Sequence, residues 1–121
     1  MICDDQQDIL RTIPLYFRKE YEFLTAKSGK ECLSIYFAEL DKNRRIDLIM
    51  LDYKLGDMSA EEVATKIKEH NWRTKILLIT AYELDDDRVS KLVQSKLVDF
   101  ELKKPFALEE LKKKLIQILG S

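Results

Sequence analysis

The sequence predicts an α/β fold in which a parallel sheet lies between two layers of helices. Short apolar runs alternate with longer stretches of helical periodicity along the 121 residues, and this alternation is typical of strands joined by crossover helices. Two of the runs, at 46–51 and 76–79, are apolar on consecutive positions apart from Asp47. Strands covered on both faces have this composition, so we expect these two at the centre of the sheet.

The apolar runs give five strand candidates. They lie at residues 1–3, 22–25, 47–51, 75–80 and 98–102. The first is shorter than a central strand should be. We therefore expect either a frayed sheet at this end or an upstream extension of the strand.

Five helix candidates lie between and after the strands, at residues 7–19, 30–41, 60–70, 85–96 and 107–119. Ser59 followed by Glu62 forms the pattern of a capping box at the start of the third helix. Pro14 falls inside the first helix, where it removes one backbone hydrogen bond, and should bend or shorten that helix. The resulting βαβαβαβαβα order predicts a doubly wound sheet with right-handed crossovers.

Composition and charge exclude several classes of function. The 21 Lys and Arg residues nearly balance the 22 Asp and Glu residues, which leaves a net charge of -1. Such a charge provides no electrostatic attraction for nucleic acid or an anionic membrane. No apolar run approaches the roughly 20 residues of a membrane span, and the first residues are acidic where a signal peptide is basic. These features predict a soluble, cytoplasmic protein. Cys3, Cys32 and His70 lack metal-ligand spacing, and we interpret the cysteines as reduced, packed thiols.

Polar side chains follow four of the five predicted strands. Asp4 and Asp5 follow the first strand, Asp52 the third, Thr80 the fourth and Lys104 the fifth. Because the carboxyl ends of parallel strands meet at one edge of the sheet, these residues should lie together. An acidic pair alone is more often the start of a helix, and a strand-end threonine alone most often packs. Their occurrence together favours a functional site.

The residue types at this edge suit phosphoryl chemistry. Three carboxylates repel one another and favour a hard divalent cation, of which Mg²⁺ is the cytosolic default. A carboxylate beside Mg²⁺ can attack a phosphoryl group to give an acyl phosphate. Lys104 would supply a second positive charge, and the Thr80 hydroxyl would donate a hydrogen bond to a phosphoryl oxygen.

These motifs together resemble the receiver domains of two-component response regulators, and the resemblance runs the whole chain length. It is carried by Ile-Cys-Asp-Asp-Gln at 2–6, Asp-Leu-Ile-Met-Leu-Asp at 47–52, Leu-Ile-Thr-Ala at 78–81 and Lys-Pro-Phe at 104–106. It implies a single doubly wound (βα)5 domain over residues 1–121. The implied sheet is the flavodoxin-like or CheY-like one, with five parallel strands in the order 2-1-3-4-5.

The resemblance also implies a role for each site residue. Asp52 would be the phosphoacceptor and, with Asp5, a direct Mg²⁺ ligand. Asp4 would be a ligand through water, and the Lys54 backbone carbonyl a further ligand. The bond between Lys104 and Pro105 would be cis.

For switching, the resemblance implies that the Thr80 hydroxyl moves onto the phosphoryl group while an aromatic residue of the fifth strand rotates inward. Phe100 is the best match, although one residue more than expected separates it from Lys104. This spacing leaves Lys103 as a rival to Lys104 for the phosphoryl contact. The acidic loop at 82–87 is longer than expected, so we expect it to bias the choice of partner.

The resemblance further implies a partner and an output surface. A sensor histidine kinase or phosphotransfer protein would supply the phosphoryl group, and the fourth helix, fifth strand and fifth helix would present the signal. Such a domain phosphorylates and dephosphorylates itself and is not a conventional enzyme. The charged last helix could support a dimer on phosphorylation, or it could simply be a solvated face.

Two alternatives stay open from the sequence. A phosphorylation-independent interaction module of the same fold would be expected to lack the acceptor, the acidic pair or the lysine, and none is lost here. A flavodoxin-like cofactor binder or hydrolase would need a glycine loop that cradles phosphate. The three glycines, at 29, 56 and 120, form no such loop.

Overall fold

The computed structural model describes residues 1–81 and 87–120. Its strands are β1 (Ile2–Cys3), β2 (Thr25–Ala26), β3 (Leu48–Asp52), β4 (Lys75–Ala81) and β5 (Phe100–Lys104), and its helices are α1 (Gln7–Tyr16), α2 (Gly29–Asp41), α3 (Ala60–His70), α4 (Asp87–Gln94) and α5 (Leu108–Leu119). The five strands form one sheet in the order β2-β1-β3-β4-β5, and all neighbouring strands are parallel. The predicted α/β fold and strand order are confirmed.

Part of the fourth crossover cannot be compared with its prediction. Residues 82–86 of the acidic loop, and with them the predicted start of the fourth helix at 85, lie outside the described residues. Across the residues that are described, no helix has the length and apolar composition that a bilayer span needs.

Alternate residues of the central strands pack into two apolar clusters, one on each face of the sheet. Ile49 and Leu78 pack with residues of α2, α3 and α4, whereas Met50 and Leu77 pack with residues of α1 and α5. All five residues of β3 are buried. Burying one Leu or Ile side chain stabilises the fold by about 1.5–3 kcal/mol, which explains why the most apolar runs occupy the middle of the sheet.

β5 begins two residues later than the sequence predicts. Val98 is buried, but it precedes the strand. Its N–H donates a hydrogen bond to the carbonyl of Leu92, within α4, at 3.3 Å. The ladder with β4 then covers Phe100–Lys104. The apolar residues Val98, Phe100 and Leu102 alternate in a way that fits a strand at 98–102 as well as one at 100–104. The hydrogen bonds with β4 therefore decide where β5 begins and ends. Lys104 consequently lies inside the strand.

The two strands on the other side of the sheet are short. β1 has only two residues, as its brief apolar run predicts. β2 is Thr25–Ala26 rather than 22–25, because Phe23 instead packs against the apolar cluster beneath α1 and α5. The Leu24 carbonyl still accepts a hydrogen bond from the Ile2 N–H at 2.8 Å.

Helix ends follow local chemistry. α1 ends at Tyr16, three residues before its predicted end, and Pro14 lies within its last turn, as the expected shortening requires. The capping box of α3 is confirmed, since the Glu62 N–H donates to Ser59 Oγ at 3.0 Å and the Ser59 N–H donates to Glu62 Oε1 at 3.4 Å.

The loop between β3 and α3 is fastened to the start of α2. The Asp57 carboxylate accepts hydrogen bonds from the N–H groups of Gly29 at 2.9 Å and Lys30 at 3.0 Å, two donors that have no partner within their own helix. These bonds lower the pKa of Asp57. A Cβ on Gly29 would lie 2.9 Å from Met58 Cβ, so only glycine allows this close approach.

Both cysteines are free and buried, as predicted for packed thiols. A hydrogen bond with Cys32, together with burial, raises the pKa of the Cys3 thiol well above its usual value. A thiol with a raised pKa stays protonated and is a poor nucleophile.

Candidate functional site

Three carboxylates converge at the edge formed by the carboxyl ends of β1 and β3. One carboxylate oxygen from each of Asp4, Asp5 and Asp52 lies within 4.8 Å of the other two. Asp4 and Asp52 are buried, and Asp5 is exposed. The predicted convergence of these acidic residues is therefore present.

Asp4 is held in place through both of its oxygens. Its Oδ1 accepts a hydrogen bond from the Gln6 N–H at 2.9 Å, and its Oδ2 accepts one from Lys104 Nζ at 2.9 Å. The Asp4 N–H donates to the Ala26 carbonyl at 3.0 Å, which continues the pairing of β1 with β2. A buried carboxylate needs such partners to remain charged.

Lys104 brings a positive charge to the cluster from the opposite end of the chain. Its Nζ lies 2.9 Å from Asp4 Oδ2 and 3.6 Å from Asp52 Oδ1. Successive side chains of a strand point to opposite faces, so Lys103 is directed away from the face that Lys104 uses. The structure thus brings Lys104 rather than Lys103 to the carboxylates. The peptide bond between Lys104 and Pro105 is cis, as the resemblance implied.

The environment of Asp52 opposes its negative charge. Burial and the Asp4 charge together raise the pKa of Asp52 to about 6, although Lys104 partly offsets them. One ammonium group therefore does not offset three carboxylates. Hard oxygen ligands with excess negative charge are what Mg²⁺ requires, so the residues present fit this cation. Lys54 forms an isolated bridge with Ser59 beside the site, and the role of its carbonyl as a ligand stays a prediction.

This pKa predicts how stability depends on pH when no divalent cation is bound. The folded protein holds a proton on Asp52 up to about pH 6, whereas an unfolded aspartate loses it near pH 4. Stability is therefore lost as pH rises from about 4 to 6. The full shift corresponds to about 3 kcal/mol, which partial contact with water reduces to about 1–2 kcal/mol.

Asp52→Asn removes this cost, because asparagine carries no charge. In EDTA, the variant should be more stable than the parent protein by about 1–2 kcal/mol at pH 7.5 and about equal to it at pH 4. Urea unfolding at both pH values measures the difference. A variant less stable than the parent at pH 7.5 would contradict the assigned environment of Asp52.

Thr80 is almost completely buried and contacts a residue that sequence reasoning missed. Its hydroxyl donates a hydrogen bond to Glu101 Oε2 at 2.9 Å. Phe100 does not meet Thr80: it pairs with Leu77 in the ladder and packs with the apolar cluster beneath α1 and α5. The switch role of Phe100 stays a prediction. No signal in the sequence identifies Glu101, because its place on the Thr80 face depends on how β5 pairs with β4.

Comparison with known proteins decides the family. A family model described as the response regulator receiver domain matches residues 1–116. The chain belongs to this family.

Curated relatives of this receiver domain are longer proteins. The transcriptional regulatory protein SrrA of Staphylococcus aureus is 32% identical over 111 residues, which cover 91% of this chain and 43% of SrrA. Response regulator SaeR of Staphylococcus epidermidis is 29% identical over 112 residues, which cover 92% of this chain and 45% of SaeR. The receiver domain thus spans less than half the length of these relatives.

Solved structures share its fold. A CheY-like response regulator receiver domain protein from Methanospirillum hungatei superposes with a TM-score of 0.75 at 26% identity, covering 98% of this chain and 94% of that one. The likeness in fold therefore extends over nearly the whole receiver domain.

Proposed function

We propose that residues 1–121 form one receiver domain that accepts a phosphoryl group on Asp52. The observation that carries this proposal is the convergence of Asp52 with Asp4, Asp5 and Lys104 at one edge of the sheet. Asp52 supplies the nucleophile, and the other three residues supply the charges that phosphoryl transfer needs.

The donor is the phosphohistidine of a sensor histidine kinase or of a phosphotransfer protein. A carboxylate oxygen of Asp52 forms a bond to phosphorus as the bond between phosphorus and the donor imidazole breaks, and that imidazole nitrogen then takes a proton. The Lys104 ammonium, 3.6 Å from Asp52 Oδ1, stabilises the negative charge on the phosphoryl oxygens. Water later hydrolyses the acyl phosphate, which releases inorganic phosphate and restores the Asp52 carboxylate. The domain therefore takes the phosphoryl group onto its own side chain and is not a conventional enzyme.

Mg²⁺ completes this site in our proposal. Asp5 and Asp52 would bind it directly, Asp4 through a water molecule, and Lys54 through its backbone carbonyl. The bound cation supplies positive charge to the equatorial oxygens of the phosphoryl group.

The signal leaves through α4, β5 and α5. Val93 on α4 and Ile116 on α5 are exposed apolar residues that a cytoplasmic partner, or a second phosphorylated copy of the domain, could cover.

Phosphoryl uptake tests this function directly. The domain is incubated with Mg²⁺ and acetyl phosphate, and intact-mass spectrometry followed by peptide mapping should find one added phosphoryl group on the peptide that contains Asp52. EDTA should prevent the addition. A folded domain that takes up no phosphoryl group, or takes it up elsewhere, would contradict the proposal and favour a phosphorylation-independent interaction module.

Asp5→Asn should weaken Mg²⁺ binding by about tenfold. The substitution removes one of three negative charges, and a unit charge about 4 Å away contributes roughly 1–4 kcal/mol near a protein surface. Isothermal titration calorimetry with MgCl₂ measures the affinity. Asp8→Asn is the matched control, because Asp8 is also exposed and acidic but pairs with Arg11 on α1. Equal losses in both variants would mean that Asp5 is not a ligand.

A further inference from the structure

The Thr80 hydroxyl already has an anionic partner before any phosphoryl group arrives. It donates to Glu101 Oε2 at 2.9 Å. Thr80 is 1% exposed, so water does not readily replace this partner. A hydrogen bond to a carboxylate is stronger than one between neutral groups. This bond therefore fixes the orientation of the Thr80 hydroxyl.

The position of Glu101 follows from the ladder between β4 and β5. Leu78 pairs with Glu101, and Thr80 pairs with Lys103, so Thr80 and Glu101 are diagonal neighbours on the same face of the sheet. The Glu101 side chain is partly exposed. It therefore connects the buried Thr80 hydroxyl to the solvent-accessible side of β5, which is an edge strand of the sheet.

A hydroxyl has one proton and can donate only one full hydrogen bond. The Glu101 carboxylate and a phosphoryl group on Asp52 are both anionic acceptors, so they cannot both receive that proton. The bond to Glu101 must break if the hydroxyl is to contact the phosphoryl group.

We propose that Glu101 is a positioning residue that holds the Thr80 hydroxyl in the unphosphorylated domain and competes with the phosphoryl group for it. Phosphorylation of Asp52 transfers the hydrogen bond from Glu101 to a phosphoryl oxygen. The released carboxylate then turns toward solvent on the solvent-accessible side of β5, so the exchange changes the charge presented there. This inference rests on the proposed phosphorylation of Asp52.

Removal of the competitor should favour the phosphorylated state. Glu101→Ala should raise the ratio of the uptake rate to the loss rate of the phosphoryl group by about tenfold, a change of the size that one hydrogen bond to a charged group can produce. Glu101→Gln keeps an acceptor oxygen but loses the charge, and it should give a smaller increase. Glu69→Ala, an exposed glutamate on α3, is the control and should leave the ratio unchanged.

A double-mutant cycle separates this role from a purely structural one. Uptake from acetyl phosphate and loss after its removal are followed by intact-mass spectrometry for the parent domain, Thr80→Ala and Thr80→Ser, each with and without Glu101→Ala. The effect of Glu101→Ala should disappear when Thr80 is alanine and return when Thr80 is serine. An equal effect in all three backgrounds, or no effect in the parent, would overturn the competition.

The same experiment distinguishes failure of the inference from failure of the proposed function. If the parent domain takes up no phosphoryl group on Asp52, both the proposed function and the role of Glu101 are contradicted. Normal uptake by the parent with no coupling between Thr80 and Glu101 removes only the positioning role.

Discussion

An Asp52→Asn variant is expected to take up no phosphoryl group from acetyl phosphate and Mg²⁺. The amide of asparagine cannot replace the carboxylate as a nucleophile, and no acyl phosphate can form from it. The neighbouring charges of Asp4 and Lys104 remain in the variant. Its loss of function would therefore come from the missing nucleophile, and intact-mass spectrometry measures it.

Asp47→Asn provides the matched control for this loss. Asp47 lies close to Asp52 in sequence, but its side chain is exposed and pairs with Arg45 at 2.9 Å. This variant should take up one phosphoryl group at the parent rate. Equal labelling of Asp52→Asn and the parent domain would defeat the assignment of the acceptor.

Lys104→Met is expected to slow phosphoryl uptake by about 100-fold. Methionine preserves most of the length and apolar character of the lysine side chain but removes the ammonium that lies near both Asp4 and Asp52. Loss of one preorganised charge or donor at a reacting centre typically costs about 100-fold to 1,000-fold in rate. The initial rate of labelling at a fixed acetyl phosphate concentration measures the effect.

Lys103→Met separates the two lysines that the sequence left as rivals. The strand directs Lys103 to the face opposite that of Lys104, so its replacement should leave the labelling rate nearly unchanged. Urea unfolding of both variants verifies that they are folded under the assay conditions. If Lys103→Met were the slower variant, the strand register assigned to β5 would be wrong.

The features of the fold that sequence predicts well are those set by local composition. The consecutive apolar residues of β3 and β4 specify burial on both faces, and together with the helical segments between the strands they predict a parallel sheet between helices. The bounds of β5 do not follow, because the apolar alternation through Val98, Phe100 and Leu102 fits two registers. Hydrogen bonding with β4 selects one of them, and that information lies in another segment of the chain.

The same distinction applies to the site. Asp4, Asp52 and Lys104 could be anticipated because each stands at or beside a strand end, and strand ends meet at one edge. The contact between Thr80 and Glu101 depends on the relative register of two strands, so a reading of either segment alone misses it. The bonds from Gly29 and Lys30 to Asp57 were missed for a similar reason, since they join positions 28 and 27 residues apart.

The tie between Asp57 and the start of α2 affects what happens when a ligand arrives. A loop held only at its ends would lose conformational freedom on capturing a cation, and affinity would fall accordingly. Here the segment after Asp52 loses that freedom when the chain folds, because Asp57 is hydrogen-bonded to the start of α2. Binding of the cation is thus expected to cost little conformational entropy, because the loop is already ordered before the cation arrives.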